Sequence, residues 1–103
     1  MTGITTHVLD TASGRPAGGI EVQLLRSGQL VAVGVTDDDG RWTALAGPAE
    51  VGAYRLEFVT GAHFHGVAFH PQVTVDFLVR EAAEHHHVPL LLSPFGYTTY
   101  RGS

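Results

Sequence analysis

The stretch AYRLEFVT, residues 53–60, decides the fold. Tyr54, Leu56 and Phe58 alternate with Arg55 and Glu57. A period of two sends successive side chains to opposite faces, so this reads as a strand with one buried face. GIEVQLLR (residues 19–26) repeats the pattern with Ile20, Val22 and Leu24, and VTVDFLV (residues 73–79) with Val73, Val75 and Phe77. Between such runs lie TASGRPAGG, RSGQ, TDDDG, LAGPAEVG and SPFG, rich in the Gly, Pro, Asp and Ser that turns require.

Working outward, seven or eight strands are expected near residues 4–10, 20–26, 30–36, 41–45, 53–60, 73–79, 85–92 and 97–101. Strands at this spacing with almost no helical periodicity indicate an all-β antiparallel sandwich or barrel. TGAHFHGVAFHPQ (residues 60–72) has no clean period and is read as a loop or a short helical turn. VREAAEH (residues 79–85) is too short for a stable helix alone. The chain shows no linker, internal repeat or low-complexity segment, so residues 1–103 are read as one domain.

With 103 residues, 44% of them hydrophobic and 16% charged, the chain has an ordinary globular composition. A chain of this size buries roughly 60% of its unfolded surface, enough for one core. The formal net charge is −4 and the six cationic residues are dispersed arginines, which argues against nucleic acid as a partner. Without cysteine there are neither disulfides nor thiolate metal sites. No apolar run approaches the roughly 20 residues of a membrane span, and no leader pattern opens the chain. A cytoplasmic protein is the expectation.

Seven histidines raise the question of metal. Residues i and i+2 of a strand share a face, so His63 with His65, or His85 with His87, would each offer two imidazoles to one ion. A catalytic zinc site wants a third ligand, and against the metal reading stands a plain set of surface histidines. His7 lies within the first strand and shares a face with Thr5 and Leu9. Arg41 follows the Asp-Gly turn signal and should open a strand. Its guanidinium either pairs with Asp37, Asp38 or Asp39 at the surface or forks onto an oxygen-rich ligand. Pro89 lacks an N–H, so its strand should be an edge or carry a bulge. YTTYRGS keeps β-branched and aromatic residues almost to Ser103, where chain ends usually fray; such a tail should meet a pocket or another subunit. No G-x-S-x-G, P-loop, G-x-G-x-x-G or H-E-x-x-H occurs.

Three ordered motifs resemble those of the transthyretin-like family, and within it the 5-hydroxyisourate hydrolases. ITTHVLDTASGRPAGGIEVQL carries His7 in a His-x-Leu-Asp context, TDDDGR is similar to the family's Asp-Gly-Arg turn, and HHHVPLLLSPFGYTTYRGS is similar to its C-terminal signature. The resemblance implies a transthyretin-type sandwich of two four-stranded sheets. It further implies a homotetramer, a dimer of dimers, with sites in a central channel. The implied reaction is hydrolysis of 5-hydroxyisourate in urate catabolism, with no metal or organic cofactor.

Carried over residue by residue, the resemblance makes His7, Arg41, His87 and Ser103 catalytic. Tyr100, Arg101 and Gly102 become substrate-binding. His85 and His86 are expected to stand aside. The sequence departs from the family at His86, where an aromatic residue is common, at His70, where Phe is common, and in a shorter loop before residue 73. The main alternative is a small-ligand carrier of the transthyretin kind. A metal binder built on the histidine pairs is the third reading.

Overall fold

The computed structural model describes residues 2–103. Nine strands form: β1 (Gly3–Asp10), β2 (Arg15–Pro16), β3 (Glu21–Arg26), β4 (Gln29–Val35), β5 (Arg41–Leu45), β6 (Gly52–Val59), β7 (Gln72–Val79), β8 (His85–Leu92) and β9 (Tyr97–Thr99). One sheet runs β4-β3-β6-β7. In the other, β1 is flanked by β8 and then β9 on one side. On its opposite side β1 pairs with β5 through Ile4–His7 and with β2 through Leu9 and Asp10, so two short strands share one edge.

The alternating runs bury the faces expected of them. Tyr54, Leu56 and Phe58 from β6 meet Val22 and Leu24 from β3 and Val73 from β7. Across the sandwich lie Ile4 and Val8 of β1 and Val88, Leu90 and Leu92 of β8. Facing sheets with dry inner surfaces are the stable way to cover such half-apolar strands. Phe58 is fully buried, and truncating it to alanine costs about 3–5 kcal/mol.

Three details differ from the sequence expectations. First, no helix forms among the described residues. Residues 60–67 instead make successive four-residue turns, with His63, His65 and Val67 amides donating to the Thr60, Ala62 and Phe64 carbonyls. The segment is pinned at its neck, where Thr60 and Gly61 both donate to the Pro71 carbonyl, and at its tip, where Phe69 donates to Pro94.

Second, β8 is not an edge strand. It lies between β1 and β9, and the ladder to the tail is interrupted opposite Val88 and Pro89. Pairing stops at Leu90–Thr99 and resumes in the same register at His87–Gly102, so the missing Pro89 donor opens a gap and no bulge.

Third, β1 and β8 run parallel, and the Asp-Gly turn joins strands of different sheets. The chain reaches β8 from β7 of the opposite sheet, so no hairpin fixes its direction.

Candidate active site

The parallel β1–β8 pairing brings residues from the two ends of the chain side by side. Thr5 stands opposite His87, and on the other flank of β1 it stands opposite Thr43. One step along, His7 stands opposite Arg41. On β1, Ile4, Thr6 and Val8 point to the core, leaving Thr5 and His7 on the outer face. On β8 the alternation buries His86 and turns His85 and His87 outward.

Arg41 reaches this face because of the turn that precedes it. The Asp37 carboxylate accepts the amides of Asp39 and Arg41, both at 2.9 Å. Gly40 has φ 75°, and a Cβ there would collide with the Val8 carbonyl oxygen, so only glycine brings the turn this close to β1. Arg41 forms no ion pair with the acidic turn; its guanidinium is unpaired among the described residues.

A cleft of about 320 Å³ opens here, walled by Thr5, Arg41, Trp42, His85, His87 and Ser103. Thr5 Oγ1 lies 2.8 Å from His85 Nε2 and 2.9 Å from His87 Nδ1. The two imidazoles are stacked, with centroids 6.2 Å apart. Partial burial, followed by the charges of His85, Arg41 and His7, holds the His87 imidazolium below the usual histidine pKa. A neutral imidazole beside a free guanidinium is the pairing that base-assisted attack on a carbonyl requires. A larger hollow of about 370 Å³ lies on the outer face of the second sheet, over Gln23 and Glu57. It offers no imidazole or guanidinium, so the chemistry favours the smaller cleft.

The seven residues singled out from the sequence are not all together. Arg41, His87 and Ser103 wall the cleft. His7 lies on the same face, close enough for its charge to act on His87, without forming part of that wall. Gly102 donates its amide to the His87 carbonyl at 2.8 Å. Tyr100 and Arg101 border a separate hollow of about 220 Å³ between β7 and β8, and Arg101 pairs with Glu84 at 3.1 Å.

Thr5 and Trp42 were not singled out from the sequence as site residues, and His85 was expected to stand aside. The signal for Thr5 was its place two residues before His7 on one face. The His63–His65 pair is not on a strand: His65 sits in a turn at φ 54°, and His63 Nε2 bonds the Asp10 carboxylate at 2.9 Å. Among the described residues no group of three or more His, Cys, Asp or Glu is arranged to hold an ion.

A two-sheet sandwich of this topology, with imidazoles and a guanidinium on the outer face of one sheet, defines a transthyretin-like protein. The chain matches the HIUase/Transthyretin family over residues 4–102 and belongs to it. It is 47% identical to a 5-hydroxyisourate hydrolase of Caulobacter vibrioides, with the whole of both chains covered. The solved structure of Klebsiella pneumoniae 5-hydroxyisourate hydrolase superposes with a TM-score of 0.90 at 39% identity, again over both chains entirely. Sea bream transthyretin, solved in complex with thyroxine, gives 0.87 at 33% identity over 96% of this chain and 93% of that one.

Proposed function

We propose that this chain hydrolyses 5-hydroxyisourate to 2-oxo-4-hydroxy-4-carboxy-5-ureidoimidazoline, a step of urate catabolism. The observation that carries the reading is the His87 imidazole sharing one cleft with the unpaired Arg41 guanidinium, where burial and neighbouring charge favour the neutral ring. Full-length similarity to hydrolases of that name supports it.

The reaction adds water across a ring carbonyl and breaks the adjoining C–N bond. His87, or His7 beside it, takes the proton of the attacking water and returns it to the departing ring nitrogen. A positioned base of this kind contributes roughly 10²–10⁴-fold in rate. Arg41 orients the planar substrate and holds the negative charge that develops on the carbonyl oxygen. Ser103 orients the water or an imidazole from the cleft wall. Gly102 keeps the tail against the His87 ring. No metal or organic cofactor enters these steps.

The proposal includes a homotetramer, a dimer of dimers, in the cytoplasm. The free edges β7 and β9 and the exposed apolar Leu78, Phe95 and Tyr97 support assembly. Tyr100 and Arg101 act as substrate contacts in the assembled channel. The carrier reading rests on the likeness to sea bream transthyretin. Freshly generated 5-hydroxyisourate separates the two: a decay faster than the spontaneous one supports hydrolysis, and saturable binding without turnover supports a carrier.

A further inference from the structure

Thr5 Oγ1 sits between two imidazole nitrogens, His85 Nε2 at 2.8 Å and His87 Nδ1 at 2.9 Å. A hydroxyl has one proton to donate. It can donate to only one of these nitrogens, so at least one of the two rings must donate an N–H to Thr5, and the tautomers of the two histidines are tied together. When His87 carries its proton on Nδ1 and gives it to Thr5, Thr5 donates to His85, and His87 Nε2 keeps a bare lone pair. In the opposite arrangement His87 Nε2 is protonated and cannot act as a base.

We propose that Thr5 is a positioning residue that joins His85 to His87 in a proton relay, with His85 as the reservoir for the proton taken from water. The relay rests on the hydrolase reading above. Its steps balance. Water gives a proton to His87 Nε2, and the oxygen bonds to the carbonyl carbon. The Nδ1 proton of His87 passes to Thr5 Oγ1 while the Thr5 hydroxyl proton passes to His85 Nε2. The reverse transfer returns a proton to His87 Nδ1 as His87 Nε2 gives up its own to the leaving ring nitrogen. No proton is gained or lost by the protein over the cycle.

The surroundings favour such a shuttle. An imidazolium at His87 is disfavoured by partial burial, then by any charge on His85, by Arg41 of β5 and by His7 of β1. Moving the charge to His85 places it one stacked ring away, next to the segment where Glu84 pairs with Arg101. Arg101 also approaches the His85 carbonyl, at 3.5 Å, and Ser103 completes the cleft wall. His86, between the two, is turned into the interior and takes no part.

The test uses the whole protein and the variants Thr5→Val, Thr5→Ser, His85→Gln and Thr5→Val/His85→Gln. Imidazole nitrogen resonances in the substrate-free protein report the tautomer of each neutral ring. With the relay intact, both neutral rings carry their proton on Nδ1, and in Thr5→Val that shared preference is lost. The same variant loses kcat by roughly 10–100-fold, part of the about 10²–10⁴-fold a positioned base contributes, with KM unchanged. Thr5→Ser restores both properties. His85→Gln loses a similar factor, and the double variant is no slower than Thr5→Val, as a shared path requires.

A neutral His87 that holds its proton on Nε2 in the wild type, or unchanged kcat and pH profile in both Thr5→Val and His85→Gln, overturns the relay. If Thr5→Val fails to fold, Thr5→Ser and His85→Gln decide by the same readouts. A wild type that does not hydrolyse 5-hydroxyisourate overturns the hydrolase reading instead, and the tautomers still judge the bridge.

Discussion

Gly102 lies against the His87 ring so closely that a Cβ on it would stand 2.5 Å from His87 Cδ2. Its amide is bonded to the carbonyl of the same histidine. The tail is thus held to β8 by backbone and fitted to the imidazole by the lack of a side chain. Gly102→Ala should displace the ring or detach the tail while leaving the core intact. A misplacement of about 1 Å at a reacting group costs about 10²-fold, and kcat of the variant, with unfolding followed in parallel, checks this.

Substitution of the cleft groups should separate activity from folding. His87→Asn, His7→Asn and Arg41→Lys should each lose roughly 10²-fold or more of kcat. Arg41→Lys keeps the charge and loses the planar fork. Circular dichroism and sedimentation should match the wild type, because none of the three side chains belongs to the core. Near-wild-type rates in all three would falsify the site.

The acid side of the pH profile follows from His87. Partial burial and the charges of His85, Arg41 and His7 lower its pKa below the usual 6.5. A base works when neutral, so activity should rise with pH through a value below 6.5 and already be level at neutrality. Arg41→Gln removes one of the charges, so the His87 titration should move upward, whereas Arg41→Lys should leave it in place. Imidazole titration by NMR reads this even where little activity is left.

At the far end of β1, stability should depend on acid through Asp10. Burial alone would raise its carboxyl, but hydrogen bonds from His63, Ser13 and Ala12 outweigh it and hold the pKa below 3.8. A lowered carboxylate stabilises the fold above its unfolded pKa, and the contribution is lost as pH falls through the folded value. Asp10→Asn should therefore flatten the loss of stability below about pH 4, and at neutrality it should cost about 1–3 kcal/mol. Thermal unfolding at stepped pH measures both.

Much of the fold was legible because nearly every strand obeys one rule. Alternation along 20–26, 53–60 and 73–79 marked the buried faces, and the Asp-Gly turn marked the start of β5 at Arg41. The parallel register of β1 on β8 was not legible, since pairing between distant segments leaves no local trace. That register creates the Thr5–His85–His87 cluster, and a threonine in a strand looks like any other β-branched residue. The tail read as ordered, and Gly102 meets His87 as an ordered tail should. That Arg101 turns to Glu84 depends on the gap opposite Pro89, which no local pattern in the tail announced.

The central claim is that His87 and its cleft hydrolyse 5-hydroxyisourate. The most direct measurement follows the ultraviolet absorbance of 5-hydroxyisourate, generated in place by urate oxidase, with wild-type protein, with His87→Asn and with no addition. The account predicts rapid decay with wild type and a rate close to spontaneous with the variant. A wild-type trace that coincides with the spontaneous one, or a variant as fast as the wild type, would contradict it.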